Sequence, residues 1–352
     1  MKHHLNYSEE DPNYILLGEI FKIIGSRKTK TIISSKKVKN SNMMILSVKI
    51  VLKAIFFNTT VEFVVNELKR DKKLRKFFEI REVPDALQIS EFLSRFDSDT
   101  YVKIANSILL NIKPIKRRGK QTFIVDATPV DLDYNIKRKT RSKKYLEKRN
   151  LKWSYSSSYE FYIGFKATIV IEHESSLPVA IIIHSGAPHD SKIFTEIMEN
   201  LRKRRIIRKN DTIIFDRGYH SYKNYQIGIS KYKIIPLIFP KENFKIQKLK
   251  DQLTYPLKVF KNKKTEKQSK SIYNRLKKEL IVKISKWKKY KPIRGKIEDF
   301  FKLCKSRLSL KKLHKYTPES SKRTIILNVF LARLITTTGY NTKTPLQKLS
   351  ET

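Results

Sequence analysis

Helical spacing is the first pattern along the chain. In ILSVKIVLKAIFF, the apolar residues Leu46, Ile50, Ala54 and Phe57 recur at intervals of three to four positions, which is the repeat of one face of an α-helix. The spacing continues in TVEFVVNELKRDKKLRKFF, after two threonines that are typical of a helix start, and in ISEFLSRFDSDTYVKIANSILL. The pattern predicts several short helices with basic faces over residues 44–115.

Strand patterns replace the helical spacing farther along the chain. Three segments, TFIVDATPVDLD (122–133), FYIGFKATIVIEH (161–173) and LPVAIIIHS (177–185), are rich in β-branched residues and bounded by turn residues, as consecutive strands are. SKIFTEIMENLRKRR then predicts a helix with Asp190 at its N-cap, and TIIFD and YKIIPLIFP predict two further strands. Because strands come first and helices alternate with strands afterwards, we expect an α/β fold with a mixed sheet.

The remaining segments are distinguished mainly by their basic character. Residues 1–43 have weak periodicity and end in basic sequence, which predicts a mobile basic arm. Residues 241–289 are also strongly basic, and we interpret them either as a poorly ordered insertion or as a surface that faces an anionic partner. The chain is thus divided into the arm, a helical region at 44–115, an α/β domain at 116–312 and a C-terminal helix and tail at 313–352.

Charge narrows the choice of partner. The chain has 76 Lys and Arg residues against 33 Asp and Glu residues, a formal net charge of +43. A surplus of this size repels itself unless a polyanion offsets it, so we expect binding to nucleic acid. An anionic membrane is the weaker alternative, because no basic amphipathic helix or lipidation signal is visible.

Cysteine and hydropathy patterns concern the compartment. Cys304 is the single cysteine, so neither an internal disulfide nor a cysteine-based zinc cluster can form, and the His residues show no zinc-ligand spacing. The N-terminus lacks an apolar signal core, and the apolar stretches are too short to span a bilayer. We therefore expect a soluble, cytoplasmic protein.

Three carboxylates occupy positions that suggest chemistry. Asp126 lies within the first predicted strand, Asp216 at the end of TIIFD, and Glu298 on a predicted helix at 295–310. They are too far apart in sequence for a local metal loop, so only the fold can bring them together. Carboxylates are the ligands that Mg²⁺ prefers, and two such ions assist phosphodiester cleavage or joining in many nucleases and polymerases.

Each acid also has an ordinary structural interpretation. A strand-end Asp is more often a turn or cap residue than a catalytic one. Glu298 stands four residues after Arg294, the spacing of a common surface ion pair. We interpret the neighbouring Asp131 and Asp133 as strand-exit residues. Taken one at a time, these positions do not decide between structure and catalysis.

Several segments together resemble a known family. They are FIVDATPV, FYIGFKATIVIEHESSLPVAIIIHSGAPHDSKIFTEIME, IIFDRGYHSY and RGKIEDFFKLCKSRLSL, with LSVKIVLKAIFFNTTVEFVVNELKRDKKLRKFFEI and VPDALQISEFLSRF upstream. With these segments, most of the chain resembles the DDE transposases of bacterial and archaeal insertion sequences, in the branch marked by a Tyr, Arg, Glu, Lys signature. The resemblance implies a ribonuclease H-like mixed sheet flanked by helices and preceded by an all-α N-terminal domain.

The resemblance also implies a set of site residues. Its catalytic and metal-binding acids fall on Asp126, Asp216 and Glu298, with two Mg²⁺ ions as cofactor and Mn²⁺ as a substitute.

The signature around Glu298 supplies the expected DNA-binding residues. Arg294 and Lys305 stand four before and seven after Glu298, as the signature requires, and this spacing predicts one helical face that holds DNA phosphates. Tyr290 is the third expected DNA contact, although it lies four rather than three residues before Arg294.

In DRGYHSY, Gly218 is expected to permit a tight turn, and Tyr219 and Tyr222 are expected either to pack in the core or to stack on bases. Lys166 and His189 match the family text, but we assign them no catalytic role.

The activity implied by the resemblance is DNA transposition. A homodimer or higher oligomer on double-stranded DNA, in the prokaryotic nucleoid, would cleave at terminal inverted repeats and transfer the 3′ hydroxyl into target DNA. One alternative is a ribonuclease H-like nuclease or resolvase without strand transfer, which explains the long basic flanks less well. The other is a catalytically silent, domesticated DNA-binding protein, which the presence of all three acids argues against.

Overall fold

The computed structural model describes residues 7–36, 38–112, 119–132, 143–148, 151–156, 160–255, 263–310, 313 and 317–338. The chain divides into two compact units. One unit, here called the helical unit, contains residues up to 115 together with 130–151 and 300 onward. The other, the α/β unit, contains residues 116–129 and 152–299. Most of the basic link KPIKRRGK and the C-terminal tail lie outside the described residues.

Helices outnumber strands in the described part of the chain. The described helices are α1 (Pro12–Gly25), α2 (Arg27–Ser35), α3 (Ser41–Phe56), α4 (Val61–Arg70), α5 (Lys72–Phe78), α6 (Ala86–Ser94), α7 (Ser98–Ile112), α8 (Lys143–Lys148), α9 (Asp190–Lys203), α10 (Tyr222–Ile227), α11 (Ile246–Gln252), α12 (Lys263–Ser285), α13 (Lys291–Lys302) and α14 (Pro318–Thr337). The described strands are β1 (Thr122–Asp131), β2 (Lys152–Ser156), β3 (Glu160–Glu172), β4 (Leu177–Ser185), β5 (Thr212–Phe215) and β6 (Ile235–Ile238). Short 3₁₀ turns lie at Arg217–Tyr219 and Trp287–Tyr290, and π-helical turns at Gly228–Tyr232 and Leu303–Arg307.

Helix α14 lies in the core of the helical unit. Thr317 caps its start by accepting a backbone N–H, and Pro318 takes an early position where its missing N–H is not needed. Every residue from Ile325 to Ile335 is buried, because α14 packs against both α3 and α7. The buried Arg333 side chain donates a hydrogen bond of 3.3 Å to the backbone oxygen of Leu109 on α7.

Helices α1 and α2 correct the prediction of a mobile arm at 1–43. Asp11 caps α1 by accepting from the backbone, and Pro12 opens the helix. Leu16, Leu17 and Ile20 are buried with the spacing of an amphipathic face. The basic residues that follow α1 conceal this apolar face in the sequence, so the periodicity of the whole segment is weak.

The α/β unit is built on a six-stranded mixed sheet. Its order is β2-β3-β1-β5-β6, and β4 also pairs with β3. The long β3 pairs antiparallel with β2 through its first residues and with β4 through the rest, whereas β5 pairs in parallel with both β1 and β6. The predicted α/β fold class, a mixed sheet with flanking helices and a helical region before it, is confirmed.

The basic segment at 241–289 contains α11 and most of its described residues lie in α12, so the poorly ordered alternative is corrected for these two helices. Helix α12 packs against β6 and α11. It buries Tyr273, Leu276 and Leu280, which recur at helical spacing and form its apolar face. The many lysines on the rest of the helix concealed this face in the sequence.

Smaller differences concern a cap and a strand. The N-cap of α9 is His189 rather than Asp190, because the His189 ring accepts from the backbone of Ser191. Strand β2 was not expected from the sequence.

The predicted functional division of the chain stays a prediction, and it differs from the compact units, which place residues 130–151 and 300 onward with the helices.

No single helix in the described ranges is long and apolar enough to cross a bilayer. Helices α3 and α4 pass a length-and-composition test only as a pair bent by 108°, and much of α3 is buried inside the protein.

Candidate active site

Asp126 and Asp216 emerge at matching positions of two paired strands. Strands β1 and β5 run parallel with Val125 opposite Phe215, so each aspartate follows the last registered pair by one residue. Paired strands lie about 4.8 Å apart. The fold therefore brings the first two predicted acids side by side.

Arg294 on α13 lies between these two acids. Its Nη2 donates to Asp126 Oδ2 at 2.8 Å, and its Nε is 3.7 Å from Asp216 Oδ1. The first contact is a charge-assisted hydrogen bond, and the second is an ion pair without one. A cation supplied by a distant helix thus joins the middle of β1 to the end of β5.

Glu298 reaches the same guanidinium from one helical turn away. Arg294 Nη1 donates to Glu298 Oε1 at 2.7 Å, so the ordinary ion pair suggested by the four-residue spacing is present. The same guanidinium also contacts both aspartates, however, so the Arg294–Glu298 ion pair is part of a larger cluster. Exposure differs among the carboxylates, because the Glu298 side chain is 60% exposed and that of Asp126 only 16%.

Burial dominates the electrostatics of Asp126. It raises the pKa of the carboxyl from 3.8 to about 6, against the opposing effects of Arg294 and of the Ala127 backbone N–H, which donates to Oδ1 at 2.8 Å. The nearby charges of Asp216 and Asp190 contribute to the same rise in pKa. The three carboxylates in turn raise the pKa of Arg294, although burial of the guanidinium opposes them. The site therefore holds more negative charge than its one cation neutralises.

A second cluster supports the turn after Asp216. Lys166 Nζ lies 2.6 Å from Asp190 Oδ1 and donates to the Pro188 backbone oxygen at 3.0 Å. A Cβ added at Gly218 would lie 2.8 Å from Asp190 Oδ2. Gly218 lies in the 3₁₀ turn Arg217–Tyr219, as the expected tight turn requires, and its missing side chain also allows the close approach of Asp190.

The tyrosines of DRGYHSY differ in accessibility. Tyr219 is fully buried and packs on the Phe215 ring at 5.1 Å, so it is not available to stack on bases. Tyr222 is half-buried beside His220, with Lys248 Nζ 5.7 Å from its ring centre. Of the two expected roles, core packing is correct for Tyr219.

Lys305 and Tyr290 lie in different elements from Arg294. Helix α13 ends at Lys302, and Lys305 falls in the π-helical turn that follows, where the α-helical spacing of a single face no longer applies. Tyr290 closes a 3₁₀ turn before α13, where Lys283 Nζ lies 5.4 Å from its ring centre.

A cleft of about 1000 Å³ opens beside the acids. Asp216, Arg294 and Glu298 line it together with Lys241, Trp287 and Lys291. The wall therefore combines carboxylates, cations and an aromatic ring, which suits a ligand that carries phosphates.

The donor chemistry of the cluster fits a divalent ion. Asp126, Asp216 and Glu298 offer the hard oxygen ligands that Mg²⁺ takes. All three already contact one cationic group, the Arg294 guanidinium. Within the described ranges, no three Asp, Glu, His or Cys side chains converge closely enough to hold an ion as they stand. The ligands suit the metal, whereas their present spacing is that of a guanidinium site.

Comparison with known proteins now identifies the family. Residues 117–335 match the family described as the transposase DDE domain. The match covers more than half of the chain, so the chain belongs to the DDE transposases, a family that uses divalent metal ions. A search of curated proteins gave no match.

One solved structure shares similarity along nearly all of the chain. It is the piggyBac transposase in a cryo-EM structure of its synaptic complex with hairpin DNA, at 12% sequence identity and a TM-score of 0.42. The alignment covers 96% of this chain and 78% of that one.

Proposed function

We propose that this protein is a transposase that cleaves DNA at the terminal inverted repeats of its element and joins the freed 3′ hydroxyl to target DNA. The observation that carries the proposal is the meeting of three sequence-distant acids, Asp126, Asp216 and Glu298, at one guanidinium. We further propose the insertion-sequence branch with the Tyr, Arg, Glu, Lys signature, on the match of Arg294, Glu298 and Lys305.

The acids are proposed to hold two Mg²⁺ ions, for which Mn²⁺ would substitute. When bound, these ions supply activation of the attacking oxygen and stabilisation of charge on the leaving oxygen. Asp126 would bind them from within β1 and Asp216 from the end of β5, with Asp216 shared between both sites, and Glu298 would complete the ligands from α13. The raised pKa of Asp126 fits a carboxyl whose charged form is stable only beside additional cations.

DNA is the proposed partner, and the positive charge of the chain supports it. A net charge of +43 requires a polyanion nearby. Arg294, Lys305 and Tyr290 are proposed to contact the DNA, with Arg294 placed to hold a phosphate at the edge of the cleft. The helical region at 44–115 is proposed to recognise element ends or to form the dimer, because joining two ends requires an oligomer.

Substitution of Asp216 tests the proposal. The substrate is a duplex ending in the inverted repeat found in the DNA that flanks the gene, incubated with full-length protein and Mg²⁺. Asp216→Asn should lower cleavage and joining by about 10³-fold or more, because a metal ligand is worth several kcal/mol in the transition state. Asp251→Asn removes an exposed carboxylate from α11 and should leave both steps unchanged.

The outcomes separate the rival functions. Cleavage without joining would favour a nuclease or resolvase. Specific DNA binding by wild-type protein without either reaction would favour a silent, domesticated protein. Full activity of Asp216→Asn would contradict the proposed active site.

A further inference from the structure

The Arg294 guanidinium occupies the place where the three acids converge. It makes hydrogen bonds of 2.8 Å to Asp126 and 2.7 Å to Glu298, and its Nε points toward Asp216 at 3.7 Å. The side chain is only 22% exposed. A single cation therefore serves all three of the acids proposed to bind metal.

This arrangement solves an electrostatic problem of the DNA-free protein. Three neighbouring carboxylates repel one another unless a cation lies among them. Arginine is suited to the task because its planar fork binds several oxygens at once and it does not lose its proton. For the same reason a rise in pH does not neutralise the guanidinium, so above the pKa of the acids it leaves them only if another anion takes it.

The contacts of Arg294 are incomplete. Among the described residues, its buried Nε–H has no hydrogen-bond partner, and the acids around it do not form a metal-binding group as they stand. The guanidinium also faces the cleft that Lys241 and Lys291 line. A DNA phosphate entering this cleft offers two oxygens in the geometry that a guanidinium binds best.

We propose that Arg294 couples DNA binding to metal binding: it neutralises the three acids in the DNA-free protein, and it moves to a DNA phosphate when DNA enters, which frees the acids for metal. Arg294 is in this sense a positioning residue. This coupling rests on the proposed function, in which the three acids bind metal. By linkage, DNA strengthens metal binding and metal strengthens DNA binding by the same factor.

The test measures Mn²⁺ affinity of the full-length protein by calorimetric titration, at fixed ionic strength, with and without a short duplex carrying the flanking inverted repeat. Wild-type protein should bind Mn²⁺ about tenfold more tightly when the duplex is present, within the usual range of coupling. Arg294→Gln should bind Mn²⁺ about tenfold more tightly than wild type without DNA and should lose most of the gain on adding DNA. A misfolded variant would show weaker metal binding, so this gain distinguishes the proposal from a structural role.

Two further variants control for charge and folding. Lys291→Gln removes a positive charge from the same cleft and helix, but Lys291 lies over the Trp287 ring at 5.6 Å and makes none of the guanidinium contacts, so its effect on metal affinity should be less than about threefold. Arg294→Lys keeps the charge but cannot bridge three carboxylates, and it should bind Mn²⁺ with intermediate affinity.

Three results overturn the inference. If Arg294→Gln binds Mn²⁺ no more tightly than wild type, or if Lys291→Gln gains as much, Arg294 does not compete with metal, and the proposed function survives. If no variant binds Mn²⁺ with or without DNA, the proposed metal site fails together with the inference.

Discussion

The two units of the protein both place cations against carboxylates, and they do so in opposite proportions. In the helical unit, the buried Lys53 meets one carboxylate, Glu67, at 2.7 Å, and its ammonium also lies 4.9 Å from the Phe57 ring centre. In the α/β unit, Arg294 meets Asp126, Glu298 and Asp216. One cation thus has one anion in the first case and three in the second.

The difference separates a structural pair from a site with unmet charge. A buried pair repays part of its desolvation cost when each charge has a partner. At Arg294 the carboxylates outnumber the cation, so not every charge has its own partner. This surplus is expected to lower the stability of the metal-free protein, as active sites often do. The comparison predicts opposite stability changes when a carboxylate is removed from each unit.

Removal of the Asp126 charge should produce the largest stability change, and it should be a gain. The folded-state pKa of about 6 exceeds the ordinary 3.8, so the metal-free folded state binds protons more tightly than the unfolded state. The contribution of Asp126 to stability is therefore fully present below pH 3.8 and is lost as the pH rises through 6. At neutral pH with a chelator, Asp126→Asn should be more stable than wild type by about 2 to 3 kcal/mol, measured by urea unfolding.

The pH dependence provides the check on that gain. The advantage of Asp126→Asn should disappear as the pH falls from about 6 toward 4, because wild-type Asp126 then becomes neutral as well. Asp251→Asn, an exposed control, should match wild type throughout. A variant that is less stable than wild type at neutral pH would show that the hydrogen bond to Arg294 outweighs burial of the charge.

A matched pair of substitutions in the helical unit should produce losses. Glu67→Gln removes the charge that faces buried Lys53, and we expect a loss of about 2 kcal/mol in the free energy of unfolding, because Glu67 is only 23% exposed. Lys49 is equally buried, but its partner Glu79 is 77% exposed. Solvent screens that pair, so Glu79→Gln should cost less than about 1 kcal/mol. Equal losses would mean that exposure of the carboxylate does not set the strength of these pairs.

Local pattern explains which parts of the fold the sequence predicted. Strands β1, β3, β4 and β5 and helix α14 have apolar runs bounded by turn or cap residues, and each lies close to its predicted place. Helices α1 and α12 also have apolar faces, but basic residues follow the face of α1 and surround that of α12, and they concealed both faces in the sequence.

The site shows where such local reasoning ends. The four-residue spacing of Arg294 and Glu298 predicts their ion pair. The contact of Arg294 with Asp126 joins residues 168 positions apart, and it exists only because α13 returns to the middle of β1. Similarly, the proximity of Asp190 to Gly218 depends on how α9 meets the turn after β5. Neither contact can be predicted from the residue pattern of the segments that it joins.

A third kind of cation, one whose proposed partner is DNA, should show the smallest effect. Lys305 lies in the π-helical turn Leu303–Arg307 and is half-buried. If it contacts one phosphate, Lys305→Gln should reduce the slope of log affinity against log salt by about one and weaken DNA binding about equally for all sequences. Fluorescence anisotropy at several salt concentrations measures both quantities.

Charge, rather than shape, should account for that effect. Lys305→Arg keeps the positive charge and should retain the wild-type salt slope, because one released counterion per phosphate contact sets the slope. Glu67→Gln should change stability and leave this slope nearly unchanged, since its partner Lys53 is buried in the helical unit. A Lys305→Gln slope equal to that of wild type would remove Lys305 from the DNA-binding set and leave Arg294 as the signature cation with a proposed phosphate contact.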